Sequence, residues 1–161
     1  MSRNGLIVRP AVGNDDFETV REIFREYAAA LGVDLCFQGF DQELLDAETI
    51  YTPPEGRVLL AHEGSTLAGC VGVRRQQGKL CEMKRLYVRP PFRGRGLGRQ
   101  LAEQAMGAAR DLGYQRVCLD TLPEMDAARG LYASLGFMEI EAYYNNPLPG
   151  AMYLEARLDA L

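Results

Sequence analysis

The chain has 161 residues, 47% of them hydrophobic, and a formal net charge of -4. That length sustains one core and falls short of two ordinary domains, so one domain over residues 1–161 is expected. The net acidity excludes a chain-wide basic footprint for nucleic acid, and no apolar run of about 18 residues marks a membrane span, so neither partner is expected and any anion site must be local.

Met1 to Pro10 hold no apolar stretch of signal-peptide length, which points to a soluble cytoplasmic protein. Leu6 to Arg9 reads as a short strand. Asp15-x-x-Glu18 has the spacing of a capping box, ahead of a helix with Phe17, Val20, Phe24, Tyr27 and Leu31 on one face. From Gly32 to Tyr51 aromatic and acidic residues alternate irregularly, with a short helix over Asp41 to Ala47 closed by Pro53-Pro54. Strand patterns follow at Arg57–His62, Thr66–Arg75 and Leu80–Val88, separated by Glu63-Gly64-Ser65 and Gln76-Gln77-Gly78, which predicts an antiparallel meander. Leu97, Leu101, Ala105, Ala109 and Leu112 recur at helical spacing and Gly113 supplies a stop. Gln115–Leu122 is a buried strand, Met125–Leu135 a second long helix, and Phe137–Ala142 and Met152–Leu158 are strands joined by the turn-rich residues 145–150.

This order predicts an α/β fold of the α+β type: a mixed, mostly antiparallel central sheet flanked by about four helices. A right-handed crossover makes the fourth and fifth strands, 80–88 and 115–122, a parallel pair. Cys36, Cys70, Cys81 and Cys118 lack any C-x-x-C spacing and His62 is the sole histidine, so reduced thiols and no metal site are expected.

The densest chemical signal stands where the long helix after Val88 begins. Glycines there let a ligand approach the backbone, and a helix start offers unpaired N–H groups with partial positive charge, a combination that attracts phosphate. The spacing is neither the P-loop, which needs Gly-Lys followed by Ser or Thr, nor G-x-G-x-x-G. It is [R/Q]-x-x-G-x-[G/A], as Arg93-Gly94-Arg95-Gly96-Leu97-Gly98, preceded by Leu86-Tyr87-Val88 and followed by a helix, a strand and a Tyr-x-x-x-Gly-Phe ending at Tyr132 to Phe137. In these features the chain resembles the GNAT superfamily of acyl-CoA-dependent N-acetyltransferases, specifically over residues 80–140.

The resemblance implies acetyl-CoA as acyl donor and no metal. It assigns the coenzyme pyrophosphate to Arg93, Gly94, Arg95, Gly96, Leu97 and Gly98, with Arg99 a further cation, and the pantetheine arm to the backbone of Leu86, Tyr87 and Val88. Met125 stands where many relatives carry asparagine. Tyr132 matches the tyrosine that protonates the departing thiolate, and Glu82 matches a strand position where several members carry a glutamate base. Simple alternation puts Glu82 on one face with Lys84, Leu86 and Val88, and a salt bridge to Lys84 or Arg85 is the plainer reading of that glutamate. No nucleophile triad is evident, so the amine attacks directly.

The expected acceptor is a small-molecule amine such as an amino acid or polyamine. It is expected to meet Asp34, Cys36, Phe37, Gln38 and Phe40 on one side and Tyr143, Tyr144, Asn145 and Asn146 on the other, with net acidity favouring a cation. Two alternatives stand: transfer to a protein N-terminus or lysine, and a non-catalytic acyl-CoA-binding module. A homodimer is one assembly open to the family.

Overall fold

The computed structural model describes residues 2–3, 5–32, 34–123 and 125–158, without the side chains of Ser2, Arg3 and Phe37, so the expectation placed on the Phe37 side chain lies outside what is described. In chain order the elements are β1 (Ser2–Arg3), β2 (Leu6–Pro10), α1 (Gly13–Leu31), α2 (Phe40–Leu45), α3 (Ala47–Ile50), β3 (Arg57–Glu63), β4 (Thr66–Gln77), β5 (Leu80–Val88), α4 (Leu97–Asp111), β6 (Arg116–Thr121), α5 (Asp126–Ser134), β7 (Met138–Ile140) and β8 (Met152–Arg157). One sheet runs in the order β1-β2-β3-β4-β5-β6-β8-β7, antiparallel throughout except for the parallel β5–β6 pair. In the element order, β1 and the division of the short central helix into α2 and α3 at Asp46 depart from expectation.

Alternation along the strands gives the sheet two apolar faces, and each is covered by helix. Against one face α4 lays Leu97, Leu101, Ala105 and Ala109 over Val71, Val73, Met83 and Val117. Against the other, α1 buries Phe17, Val20, Ile23 and Phe24 with Leu60, Cys70 and Tyr51. A fully buried Leu or Phe contributes about 1.5–3 kcal/mol, so these two layers hold the scaffold rigid. The start of α1 differs from its expectation. The helix begins at Gly13 with Val12 as N-cap, and Asp16 takes the capping role by accepting the Val12 N–H at 2.8 Å while Arg9 grips both its oxygens at 2.7 and 2.8 Å. The carboxylate that caps is thus Asp16, four residues after Val12, and not Glu18 of the expected box.

Two irregularities open the sheet where the site lies. On β4–β5, Cys70 pairs with Tyr87 and Gly72 with Lys84, so three steps on β5 face two on β4. This is a bulge, with Arg85 in the left-handed region at φ 61°. It corrects the simple alternation: Glu82 and Lys84 remain together on the α1 face, whereas Leu86 and Val88 turn to the α4 face and pack on its core. The second irregularity lies between the parallel strands, which pair only at Leu80–Arg116, Cys81–Val117 and Glu82–Cys118. Beyond these, β5 and β6 part, and the sheet is split toward their carboxyl ends.

Candidate active site

The split leads into a groove of about 830 Å³, with Leu86, Tyr87, Val88, Arg93, Gly98 and Arg99 on one wall and Met125 to Ala128, Gly130 and Leu131 on the other. Pro90-Pro91-Phe92 forms a single 3-10 turn with Phe92 buried, which swings the chain from β5 into the glycine turn. Gly94 and Gly96 hold φ values of 80° and 78°, and Gly96 is the N-cap of α4 without any side-chain cap. The first amides of α4 therefore have no intrahelical acceptor, and the helix dipole adds positive potential at the groove. Arg93 donates to the Val88 carbonyl at 3.0 Å and Arg99 to Ser134 Oγ at 2.6 Å, both beside this opening. Arg95 points elsewhere: its guanidinium meets Glu63 at 2.6 Å and covers the Phe92 ring. Leu97 turns its side chain into the core.

Behind the groove is a narrow cavity of about 40 Å³ that shares Tyr27, Leu31, Leu86 and Met125 with it and reaches Tyr132 and Asp120. Tyr132 is buried, its ring packed on Phe137, and burial pushes its phenol well above the ordinary value. It therefore holds its proton at neutral pH.

A polar network continues from this cavity on the α1 face. Asp120 accepts from Tyr144 Oη, from Asn146 Nδ2 at 2.8 Å and from Gln38 Nε2 at 3.4 Å. Gln38 Oε1 in turn accepts from Arg85 at 2.8 Å and Lys84 at 3.3 Å, and Lys84 Nζ lies 3.7 Å from Glu82, which accepts from Tyr143 Oη at 2.7 Å. Burial pulls the Lys84 ammonium below its usual value, against the opposing pull of Glu82. A second cavity of about 190 Å³ is lined by Gln38, Arg74, Gln76, Glu82, Lys84, Tyr143 and Tyr144.

Glu82 thus faces this second cavity, and Tyr132 the narrow one. Gln38 and Lys84 line both. Of the other acceptor-side residues, Phe40 lies under the Arg85 guanidinium, and Asp34 caps the Cys36 amide of the exposed 3-10 turn. Sequence reasoning passed over Asp120, Lys84 and Arg74 as site residues. Asp120 had a signal, a carboxylate in the otherwise apolar Val117-Cys118-Leu119-Asp120 run. Burial pushes the Cys118 and Cys81 thiols up to about 12, so neither is a thiolate at neutral pH. Among the described residues no three of His, Cys, Asp and Glu gather as metal ligands, and no helix is long and apolar enough to cross a membrane.

The model of the acetyltransferase (GNAT) family matches residues 17–137. An uncharacterized N-acetyltransferase of Schizosaccharomyces pombe is 41% identical over 145 residues, 89% of this chain and 89% of that protein. The human N-acetylaspartate synthetase is 31% identical over 110 residues, 67% of this chain and 36% of that protein. Among solved structures, an acetyltransferase from Salmonella typhimurium with its cofactor acetyl-CoA superposes with a TM-score of 0.71 at 21% identity, covering 97% of this chain and 95% of the other.

Proposed function

We propose the following reaction for this chain, which belongs to the acetyltransferase (GNAT) family: transfer of the acetyl group of acetyl-CoA to the primary amine of a small molecule by direct attack. The observation that carries it is the groove itself. An uncapped helix start and a parted strand edge border it, and a protonated buried tyrosine lines the narrow cavity behind. The acetyl-CoA in the Salmonella structure supports the donor, and the acetylated amino acid in the name of the human relative supports a small acceptor.

Acetyl-CoA supplies the activated thioester, and the chain's residues divide the remaining work. The amides of the 94–98 turn and the α4 dipole bind the pyrophosphate, with Arg93 and Arg99 adding charge at the same wall. The β6-facing backbone of Leu86, Tyr87 and Val88 takes the pantetheine arm as an added strand would, and a backbone N–H of Tyr87 or Val88 polarises the thioester carbonyl. The neutral amine attacks the carbonyl carbon and a C–N bond forms. The C–S bond then breaks, and Tyr132 gives its proton to the departing thiolate. The proton lost by the amine leaves through the Asp120–Gln38–Lys84 side of the cavity to Glu82.

Two measurements test these roles. Tyr132→Phe keeps the packing on Phe137 and removes the proton, so kcat in a thiol-release assay is expected to fall by about 10²-fold, with acetyl-CoA affinity and melting midpoint retained; full turnover would reduce Tyr132 to core. Glu82→Gln is expected to lower kcat/KM by about 10²-fold with acetyl-CoA affinity retained, since it removes the proton acceptor. Unchanged kcat/KM there, with the loss appearing in Asp120→Asn, would move the base to Asp120.

A further inference from the structure

We propose that the cavity at Arg74 is a carboxylate subsite, so that the acceptor is an amino carboxylate whose amine reaches the narrow cavity beside Tyr132. This rests on the acetyl-transfer reading above and names the acceptor class within it.

The first observation is a pair that does not form. Arg74 on β4 stands in register with Glu82 on β5, and directly opposed strand residues of opposite charge ordinarily pair. Here the Glu82 carboxylate is taken by Tyr143 and Lys84, and Arg74 makes no ion pair or hydrogen bond among the described residues. Its neighbour Arg75 does find a partner in Glu55. Arg74 is half-buried and lines the cavity.

The second observation is the sign of the cavity. Arg74 and Lys84 line it against the single carboxylate of Glu82, a local excess of one positive charge in a chain whose net charge is -4. A polyamine would set its far ammonium against two cations. A carboxylate would meet the planar fork of Arg74, which matches it with two parallel hydrogen bonds. The third observation is adjacency: Gln38 and Lys84 border both this cavity and the narrow one lined by Tyr132 and Asp120, so the two lie on either side of the same side chains. An acceptor spanning that shared wall places its amine toward the thioester and its carboxylate at Arg74. A volume of about 190 Å³ admits the carboxylate and a few carbons.

The test uses matched acceptors, amino acids of increasing amine-to-carboxylate length, their amides and aliphatic diamines, with acetyl-CoA and thiol release as readout. The wild-type protein is expected to prefer an acid over its amide. Arg74→Gln is expected to narrow that preference about 10- to 100-fold through KM, with Arg74→Lys intermediate. Unchanged acetyl-CoA affinity and melting midpoint would show that the variant is folded. Equal use of acid, amide and diamine by the wild type, or a preference that survives in Arg74→Gln, would overturn the carboxylate subsite and leave the acetyl-transfer reading standing. Transfer to no amine, with acetyl-CoA bound, would overturn that reading and the subsite together.

Discussion

Gly96→Val is expected to abolish acetyl-CoA binding, raising Kd at least about 100-fold in a calorimetric titration. Two effects combine. Gly96 holds φ at 78°, a region that costs an L-residue about 1–2 kcal/mol and a β-branched one more. A Cβ built there meets no atom within 4 Å beyond its chain neighbours, so it points into open space at the N-cap of α4. On the proposed reading the pyrophosphate approaches this helix start, so the variant is expected to disturb the backbone that binds it. Gly113→Ala is the control, because Gly113 has a φ of 94° at the far end of α4 and its Cβ would meet only the Lys79 ammonium at 3.9 Å. It carries the positive-φ strain without the β-branched excess of valine, and is expected to keep full affinity. Undiminished binding by Gly96→Val would remove the turn from the coenzyme site.

The contrast between these two glycines shows what a sequence discloses. The conformation of the turn at 93–98 was legible because it is local: glycines of positive φ and a helix start lie within a few residues. The strands and long helices were legible for the same reason, since their periodicity is written along the chain. What escaped was long-range. Arg95 reads like Arg93 and Arg99, yet Glu63, distant in sequence, draws it off the groove. Glu82 was placed on a strand correctly, but one extra residue at Arg85 reverses the side chains that follow it. No glycine or asparagine marks that bulge, so composition gave no warning. Arg74 is silent in sequence because its significance is a partner it lacks. Its cross-strand neighbour is satisfied by Tyr143, from a loop whose placement no periodicity predicts.

Glu43→Ala is expected to lower stability by about 3–5 kcal/mol, the usual cost of stranding one half of a buried ion pair. At about 2–4 °C per kcal/mol for a chain of this size, the melting midpoint should fall by about 6–20 °C. Glu43 and Arg85 are only 1% and 2% exposed, joined at 2.6 and 3.2 Å, and Tyr51 Oη donates to the same carboxylate at 2.7 Å. Truncation strips the guanidinium of its carboxylate and leaves the phenol unpaired, with the Gln38 oxygen and the Tyr27 and Phe40 rings as the remaining neighbours of the cation. Burial pushes the Glu43 carboxyl up, and the hydrogen bonds and charge of Arg85 more than reverse this, leaving it below 4.5. A depressed folded value means that the pair's contribution is complete above the unfolded carboxyl value and is lost as pH falls through the lower folded one. The variant should therefore lose most stability at neutral pH and converge on the wild type in acid. Replacing the whole set with apolar side chains, as Glu43→Leu, Arg85→Met and Tyr51→Phe together, strands nothing and is expected to restore much of the midpoint. It should not restore acceptor KM, because Arg85 also holds Gln38 at 2.8 Å, and Gln38 forms the wall between the two cavities. Recovery of stability without recovery of KM would identify the pair as the element that positions the acceptor side, whereas recovery of both would confine it to the core.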